Sequence, residues 1–104
     1  MADFEDVLRY ALRLPETEAS TSYRTPAVKV RKKLMVRLRE DGVSLAVRAT
    51  FASRSALPQL EPETFSIPEH YAKTDMLVIH LPSIKPEELE RLLQEAWEIV
   101  KPAR

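Results

Sequence analysis

Cysteine is absent from this chain of 104 residues, glycine occurs once and aromatic residues make up only 7%. Without cysteine there are no disulfides, thiolate nucleophiles or cysteine metal sites. A single glycine excludes a glycine-rich phosphate-binding loop. No apolar run approaches the roughly 18 residues that cross a bilayer, and the acidic N-terminal segment does not resemble a signal peptide. We therefore predict one cytoplasmic domain, residues 1–104, that does not contact a membrane.

Charge is balanced overall but unevenly distributed along the chain. Acidic and basic residues number 16 each, yet residues 24–54 hold nine bases and two acids, a net charge of +7. The flanking segments, 1–23 and 55–104, carry −3 and −4. This segregation predicts a positive face on a neutral molecule and a phosphate-bearing partner. Zero net charge, however, is untypical of very tight nucleic-acid binders.

Hydrophobic periodicity predicts a helix near each end of the chain, at residues 4–12 and 89–100. Asp3 is placed to cap the first helix, and Pro86 suits the first turn of the last one. The intervening segments are predicted to be a loop at 16–24, three strands within 25–48, a short helix at 52–60 and strands at 64–67 and 76–81. The predicted fold is therefore α+β, with one antiparallel sheet of about five strands and both terminal helices packed on one face.

Turn chemistry predicts the register of two hairpins. Asp41-Gly42 is a strong signal for a two-residue type I′ turn, which opposes apolar residues across the last two strands of the basic block. The preceding hairpin is predicted to turn through a three-residue loop at 31–33, because that loop opposes Val28 to Val36. A two-residue loop at positions 32–33 would instead oppose charged and apolar residues.

The same alternation predicts the residues of the sheet face left uncovered by helices. They are Lys29, Met35, Arg37, Arg39, Ser44, Ala46, Arg48, Met76, Val78 and His80. Arg37 is expected between two alanines, with its guanidinium open to bind a phosphate or carboxylate. No aromatic residue falls on this predicted face, so nucleic-acid contact is expected to be with phosphates and to lack base stacking.

Two interpretations of the basic face are open. It is either an anion-binding surface or the solvated outer face that any half-exposed sheet requires. For the first interpretation, the candidate nucleic-acid-binding residues are Lys29, Arg31, Lys32, Lys33, Arg37, Arg48 and His80. The histidines lack metal-ligand spacing, and the acids near the first helix suit its dipole better than a metal ion. No arrangement of a nucleophile with a base is recognisable, so no active site, metal or cofactor is predicted.

Several short motifs resemble the MmcQ/YjbR family over nearly the whole chain. They are Ser22-Tyr23, Thr25-Pro26-Ala27, the segment 37–42 (RLREDG), His70-Tyr71 and Glu95-Ala96-Trp97. The resemblance implies an open sheet of the frataxin-like or double-wing type and a proposed DNA-binding role. Two departures are Lys32, where relatives commonly have glycine, and Met76, where they often have tryptophan.

The leading hypothesis is a non-catalytic module that contacts DNA phosphates with little sequence preference. The alternative is a protein- or small-ligand-interaction module that uses the same sheet face. Its apolar centre would be formed by Met35, Met76 and Val78. The two hypotheses differ in whether cations or apolar side chains dominate the centre of that face.

Overall fold

The computed structural model describes residues 2–101 and confirms the α+β class. Its helices are α1 (Phe4–Ala11), α2 (Phe51–Leu60) and α3 (Pro86–Val100). Its strands are β1 (Thr17–Ser22), β2 (Thr25–Val30), β3 (Lys33–Leu38), β4 (Ser44–Arg48), β5 (Phe65–Ser66) and β6 (Met76–His80), with 3-10 turns at Glu69–Tyr71 and Leu81–Ser83. All strands form one antiparallel sheet in the order β1-β2-β3-β4-β6-β5.

Both terminal helices form where periodicity predicted them, and local chemistry fixes their starts. Asp3 caps α1, accepting from the Asp6 backbone N–H at 3.1 Å, and the Asp6 carboxylate accepts from the Asp3 N–H at 3.0 Å. This reciprocal pair is a capping box, which satisfies N–H groups that the first turn leaves free. Pro86 begins α3, where its missing N–H costs nothing.

The predicted loop at 16–24 is wrong, because Thr17–Ser22 forms the edge strand β1. It pairs with β2 along its whole length, from Thr17 opposite Val30 to Ser22 opposite Thr25. The segment TEASTS has no alternation of apolar and polar residues, so its sequence carries no period-2 signal. As the outer strand of the sheet it buries little, and polar residues are tolerated on both of its faces.

The β2–β3 hairpin differs from the prediction at its tip. Val28 does oppose Val36, but Val30 opposes Lys33, so the connection is a two-residue turn at positions 31–32. A β-bulge between the two pairings inserts Met35 as an extra residue on β3. Met35 therefore turns into the helix-covered core with 0% exposure, and the prediction that it lies on the uncovered face is wrong.

The β3–β4 register is confirmed, but the predicted turn type is wrong. Leu38 opposes Leu45 as expected. Only Gly42 of the Asp41-Gly42 pair has positive φ, at +76°, whereas a type I′ turn needs it at both residues. Asp41 instead stabilises the turn through its carboxylate, which accepts from the Val43 and Ser44 N–H groups and from the Ser44 hydroxyl at 2.7–3.0 Å.

Asp41→Ala is expected to lower the free energy of unfolding by about 1 kcal/mol, because it removes three hydrogen bonds from one exposed carboxylate. Desolvation alone would raise the pKa of Asp41, but the hydrogen bonds from Ser44 and Val43 outweigh it and the pKa is lowered. The stabilisation is therefore present above the unfolded pKa of about 4 and lost as pH falls through the lower folded value. Urea unfolding at pH 7 and below pH 3 measures this; an equal loss at both pH values would contradict it.

The main core lies between the sheet and the helices. Among its buried side chains are Val7 and Ala11 of α1, Val28, Val36, Leu45, Leu77 and Ile79 of the sheet, and Leu89, Leu92 and Leu93 of α3. The inward direction of Leu77 and Ile79 was predicted from alternation and is confirmed.

The opposite face is only partly open, contrary to the prediction. Tyr71, in the segment between β5 and β6, packs with Ala46, Met76 and Val78 in a second cluster, and Ile67 packs against it. All four residues of this cluster are less than 9% exposed. The centre of this face is therefore covered, and Ala27 of β2 and Arg37 of β3 on the same face are also only 1% and 5% exposed.

The Glu95-Ala96-Trp97 motif of α3 connects this helix to α2 and to the segment after α1. The Glu95 carboxylate accepts from the Thr50 N–H at 2.9 Å and the Ser53 hydroxyl at 3.0 Å, linking α3 to the start of α2. The Trp97 indole N–H donates to the Pro15 carbonyl at 2.9 Å, which fixes the segment after α1. These contacts give the motif a structural role.

Candidate nucleic-acid interface

The two turns that flank β2 are built from residues in a left-handed backbone conformation. φ is +53° at Tyr23 and +69° at Arg24 in the first turn, and +48° at Arg31 and +73° at Lys32 in the second. Two-residue turns of this kind usually contain Asn-Gly, because other side chains cost roughly 1 kcal/mol or more per residue in this region. All four side chains are exposed. One tyrosine and three basic residues therefore occupy strained and exposed backbone positions. Residues with such backbone strain are concentrated at ligand-binding sites.

Two of the predicted cations have acidic neighbours on β1 or at its start. Arg31, at the hairpin tip, forms an ion pair with Glu16. Lys29 is half-buried on β2, and Glu18 lies directly opposite it in the β1–β2 register. The ion pair removes Arg31 from the cations that are free to bind a phosphate. Lys29 forms no ion pair with Glu18 within residues 2–101, so its charge is weakened by a neighbour but still available.

The remaining cations along β2 are more available. Within residues 2–101, no side-chain hydrogen bond or ion pair engages Arg24, Lys32 or Lys33, and all three are exposed. Arg24 precedes β2, Lys29 lies within it and the two lysines follow it. We call these four residues the β2 strip. A six-residue strand is about 20 Å long, so the strip spans the length of several phosphates. Lys29 lies opposite Leu34 on the outer face and Lys33 opposite the core residue Val30, so the strip runs around the β2–β3 tip.

Arg37 is not the open anion-binding group that was predicted. It lies in the predicted row between Ala27 and Ala46, but it is only 5% exposed. Its guanidinium donates to the Thr25 hydroxyl at 3.1 Å and to the Tyr71 hydroxyl at 3.3 Å. Burial disfavours the charged form, yet the hydrogen bond to Tyr71 and the nearby Glu40 carboxylate raise the pKa of Arg37. The side chain is therefore a charged structural group.

Arg48 is likewise engaged within the protein. Its Nε donates to the Leu34 carbonyl and its Nη1 to the Asp75 carboxylate, both at 2.9 Å. The side chain is 31% exposed, so it contributes charge to the surface, but its hydrogen-bonding geometry is set by these two partners.

His80 does not join the other candidates. It lies opposite Ser44, at the end of the sheet away from the β2–β3 turn. There it lines a separate groove of about 280 Å³ together with Arg39 and Thr64. The predicted supplement to the hairpin-tip site is therefore not formed.

Two tyrosines, missed in the sequence, lie on this face. Tyr23 is 77% exposed, with its ring 5.0 Å from the Arg37 guanidinium, and the buried Tyr71 contacts the same group through its hydroxyl. A groove of about 230 Å³ is lined by Tyr23, Leu34, Arg37, Arg48, Tyr71, Thr74, Asp75 and Met76. The prediction that the face lacks aromatic residues is therefore wrong. The available signal was that both tyrosines belong to the motifs of the family resemblance.

Residues 2–101 offer neither a cluster of metal ligands nor a membrane-spanning helix. No group of three or more histidine, cysteine or carboxylate side chains is arranged to hold a metal ion within that range. Over the same residues, none of the helices has the length and apolar character needed to span a bilayer.

Comparison with known proteins supports the fold assignment. A family model described as YjbR matches residues 12–99. A crystal structure of the Deinococcus radiodurans protein DR2400, described with the domain name DUF419, is similar with a TM-score of 0.81 at 19% identity, covering 96% of this chain and 79% of that chain. No curated protein matches this chain. At 19% identity, the structural likeness establishes the shared fold.

Proposed function

We propose, from the premise that the chain belongs to the YjbR family, that this protein is a non-catalytic nucleic-acid-binding module. It contacts phosphates through the β2 strip, Arg24, Lys29, Lys32 and Lys33. The family gives the fold on which this surface is built, and the side chains of this particular chain give the surface its chemistry.

The observation that carries the proposal is the strained pair of turns that hold exposed cations. A solvated sheet needs polar turn residues, and Asn-Gly would supply them without a left-handed penalty. At Arg24 and Lys32 the chain instead keeps long cationic side chains with φ near +70°. Solubility alone does not explain that choice, whereas contact with an anionic polymer does.

The proposed contacts lie at the turns and along β2, away from the centre of the sheet face. Because Arg37 and Arg48 are held by internal partners, the contact set shifts from the centre of the face to the turns and β2. Flexible lysines at the tip act as point charges, so binding is expected to depend on phosphate and to carry little base preference.

The alternative, a protein- or small-ligand-interaction module, is less well supported. Its proposed apolar centre was formed by Met35, Met76 and Val78, and none of these residues is more than 6% exposed. A partner would have to displace the segment around Tyr71 to reach two of them.

The proposal is tested with the double variant Lys32→Asn, Lys33→Gln. Asparagine tolerates the left-handed backbone, so the turn is preserved while two charges are removed. Binding to short duplex and single-stranded DNA is measured by fluorescence anisotropy between about 50 and 200 mM salt. We expect weaker binding and a log–log salt slope reduced by about 1.4 to 1.8, since each phosphate contact contributes about 0.7 to 0.9.

The matched control is Lys85→Gln, an exposed lysine beside α3 on the helix side of the protein. It removes charge away from the β2 strip and is expected to leave the slope nearly unchanged. Equal effects of the control and the double variant would indicate a nonspecific charge effect and contradict the proposed surface, as would no binding by the wild-type protein at the lower salt concentration.

A further inference from the structure

We infer that the nucleic acid bound by this protein is single-stranded, and that Tyr23 stacks on one of its unpaired bases. This inference rests on the proposed function and adds the class of ligand. It also assigns a binding role to a residue outside the predicted cationic set.

Tyr23 has the geometry of a stacking platform. One side of its ring lies toward the Arg37 guanidinium, 5.0 Å from the ring centre, and the residue is 77% exposed. Bases stack on exposed tyrosine rings regardless of sequence, because every base has a π-face.

Contact with Arg37 holds the Tyr23 ring in place. Arg37 is held by the hydroxyls of Thr25 and Tyr71, and the cation–π contact holds the Tyr23 ring over that fixed group. Anchoring reduces the rotamer entropy that Tyr23 loses when a base binds. The buried arginine, which cannot itself reach a phosphate freely, thus positions the ring.

The groove beside the ring has chemistry that suits a base. Its lining includes the apolar side chains of Leu34 and Met76 and the ion pair of Asp75 with Arg48, which offers both an acceptor and donors. A base stacked on Tyr23 would have its edge directed along this groove. The mixed lining is compatible with base edges in general and does not select one base.

The position of the ring relative to the β2 strip explains how one ligand reaches both. Arg24 follows Tyr23 directly in the chain, and Lys29 lies farther along β2. A strand with a base turned toward Tyr23 can place its backbone along these cations. In a duplex each internal base is stacked on both sides, so a ring stacks on it only after the base leaves the helix, which costs a few kcal/mol.

The test compares wild-type protein with Tyr23→Asn and Tyr23→Phe. Asparagine accepts the positive φ, so it removes the ring without adding strain to the turn, and phenylalanine retains the ring. The probes are a fluorescein-labelled oligothymidine of about 12 nucleotides and a duplex of equal length. Binding is measured by anisotropy at about 50 mM salt, with circular dichroism to verify folding.

We expect the wild-type protein to prefer the single strand and Tyr23→Asn to weaken that binding roughly 5- to 150-fold, the range for loss of one stacking aromatic. Tyr23→Phe should bind nearly as tightly as wild type, and duplex binding should be little affected by either variant. Equal binding of both probes, with no effect of Tyr23→Asn, would overturn the single-strand inference while leaving phosphate binding through the β2 strip intact. Absence of binding to either probe would overturn both proposals and favour a protein partner.

Discussion

Arg37→Ala is expected to lower the free energy of unfolding by about 3 kcal/mol and the melting temperature by on the order of 15 °C. The variant removes a buried guanidinium that joins Thr25 on β2 to Tyr71 in the segment between β5 and β6. It leaves the buried Tyr71 hydroxyl and the half-buried Thr25 hydroxyl without their arginine donor and opens space under the Tyr23 ring. Guanidinium chloride unfolding monitored by the single tryptophan, Trp97, measures the loss.

The matched control is Lys33→Ala, which removes an exposed cation from the same strand and should change stability by less than about 0.5 kcal/mol. Similar losses in both variants would show that Arg37 acts only through net charge. The structural role of Arg37 also limits which substitutions can test binding. Charge reversal at Arg37 and Arg48, a direct test of a basic sheet face, would disrupt folding before it reported on binding.

Tyr71→Ala is expected to cost about 3 to 5 kcal/mol, the range for truncating a buried aromatic residue. Tyr71 is 7% exposed and packs against Ala46, Met76 and Val78, so its loss leaves a cavity above β4 and β6. Tyr71→Phe keeps the ring and removes only the hydroxyl that accepts from Arg37, so a loss of about 1 kcal/mol is expected. Thermal and denaturant unfolding of the two variants separate packing from hydrogen bonding.

A double-mutant cycle tests whether the two residues act together. Combining Arg37→Ala with Tyr71→Phe should cost less than the sum of the single changes, because both remove the same hydrogen bond. Strict additivity would mean that the 3.3 Å contact contributes nothing to stability. In that case packing alone would fix the segment that covers this face.

Elements with strong periodicity were predictable from the sequence, and the physical reason is burial. α3 presents one apolar stripe and β6 alternates inward with Leu77 and Ile79, so the pattern records which side meets the core. β1 was missed because this edge strand has polar residues on both faces, so its sequence does not show which face is buried. The bulge at Met35 was missed because β3 offers enough apolar residues to satisfy more than one register.

The candidate site was only partly predictable, because three of its features depend on tertiary contacts. Alternation placed Arg37 on the correct face but could not show that Tyr71, 34 residues away, covers it. Tyr23 belongs to a turn, where strand periodicity does not apply, and only the fold brings its ring to Arg37. The cations of the turns were visible in the sequence, whereas the pairing of Arg31 with Glu16 required the position of β1.

The two turns around β2 also limit the stability of this protein. At Tyr23, Arg24, Arg31 and Lys32, replacement by glycine or asparagine would relieve a conformational penalty without disturbing the buried core. Under the proposed function, these turns contact the ligand at the expense of stability, so a heat-adapted version of this domain that changed them would bind more weakly.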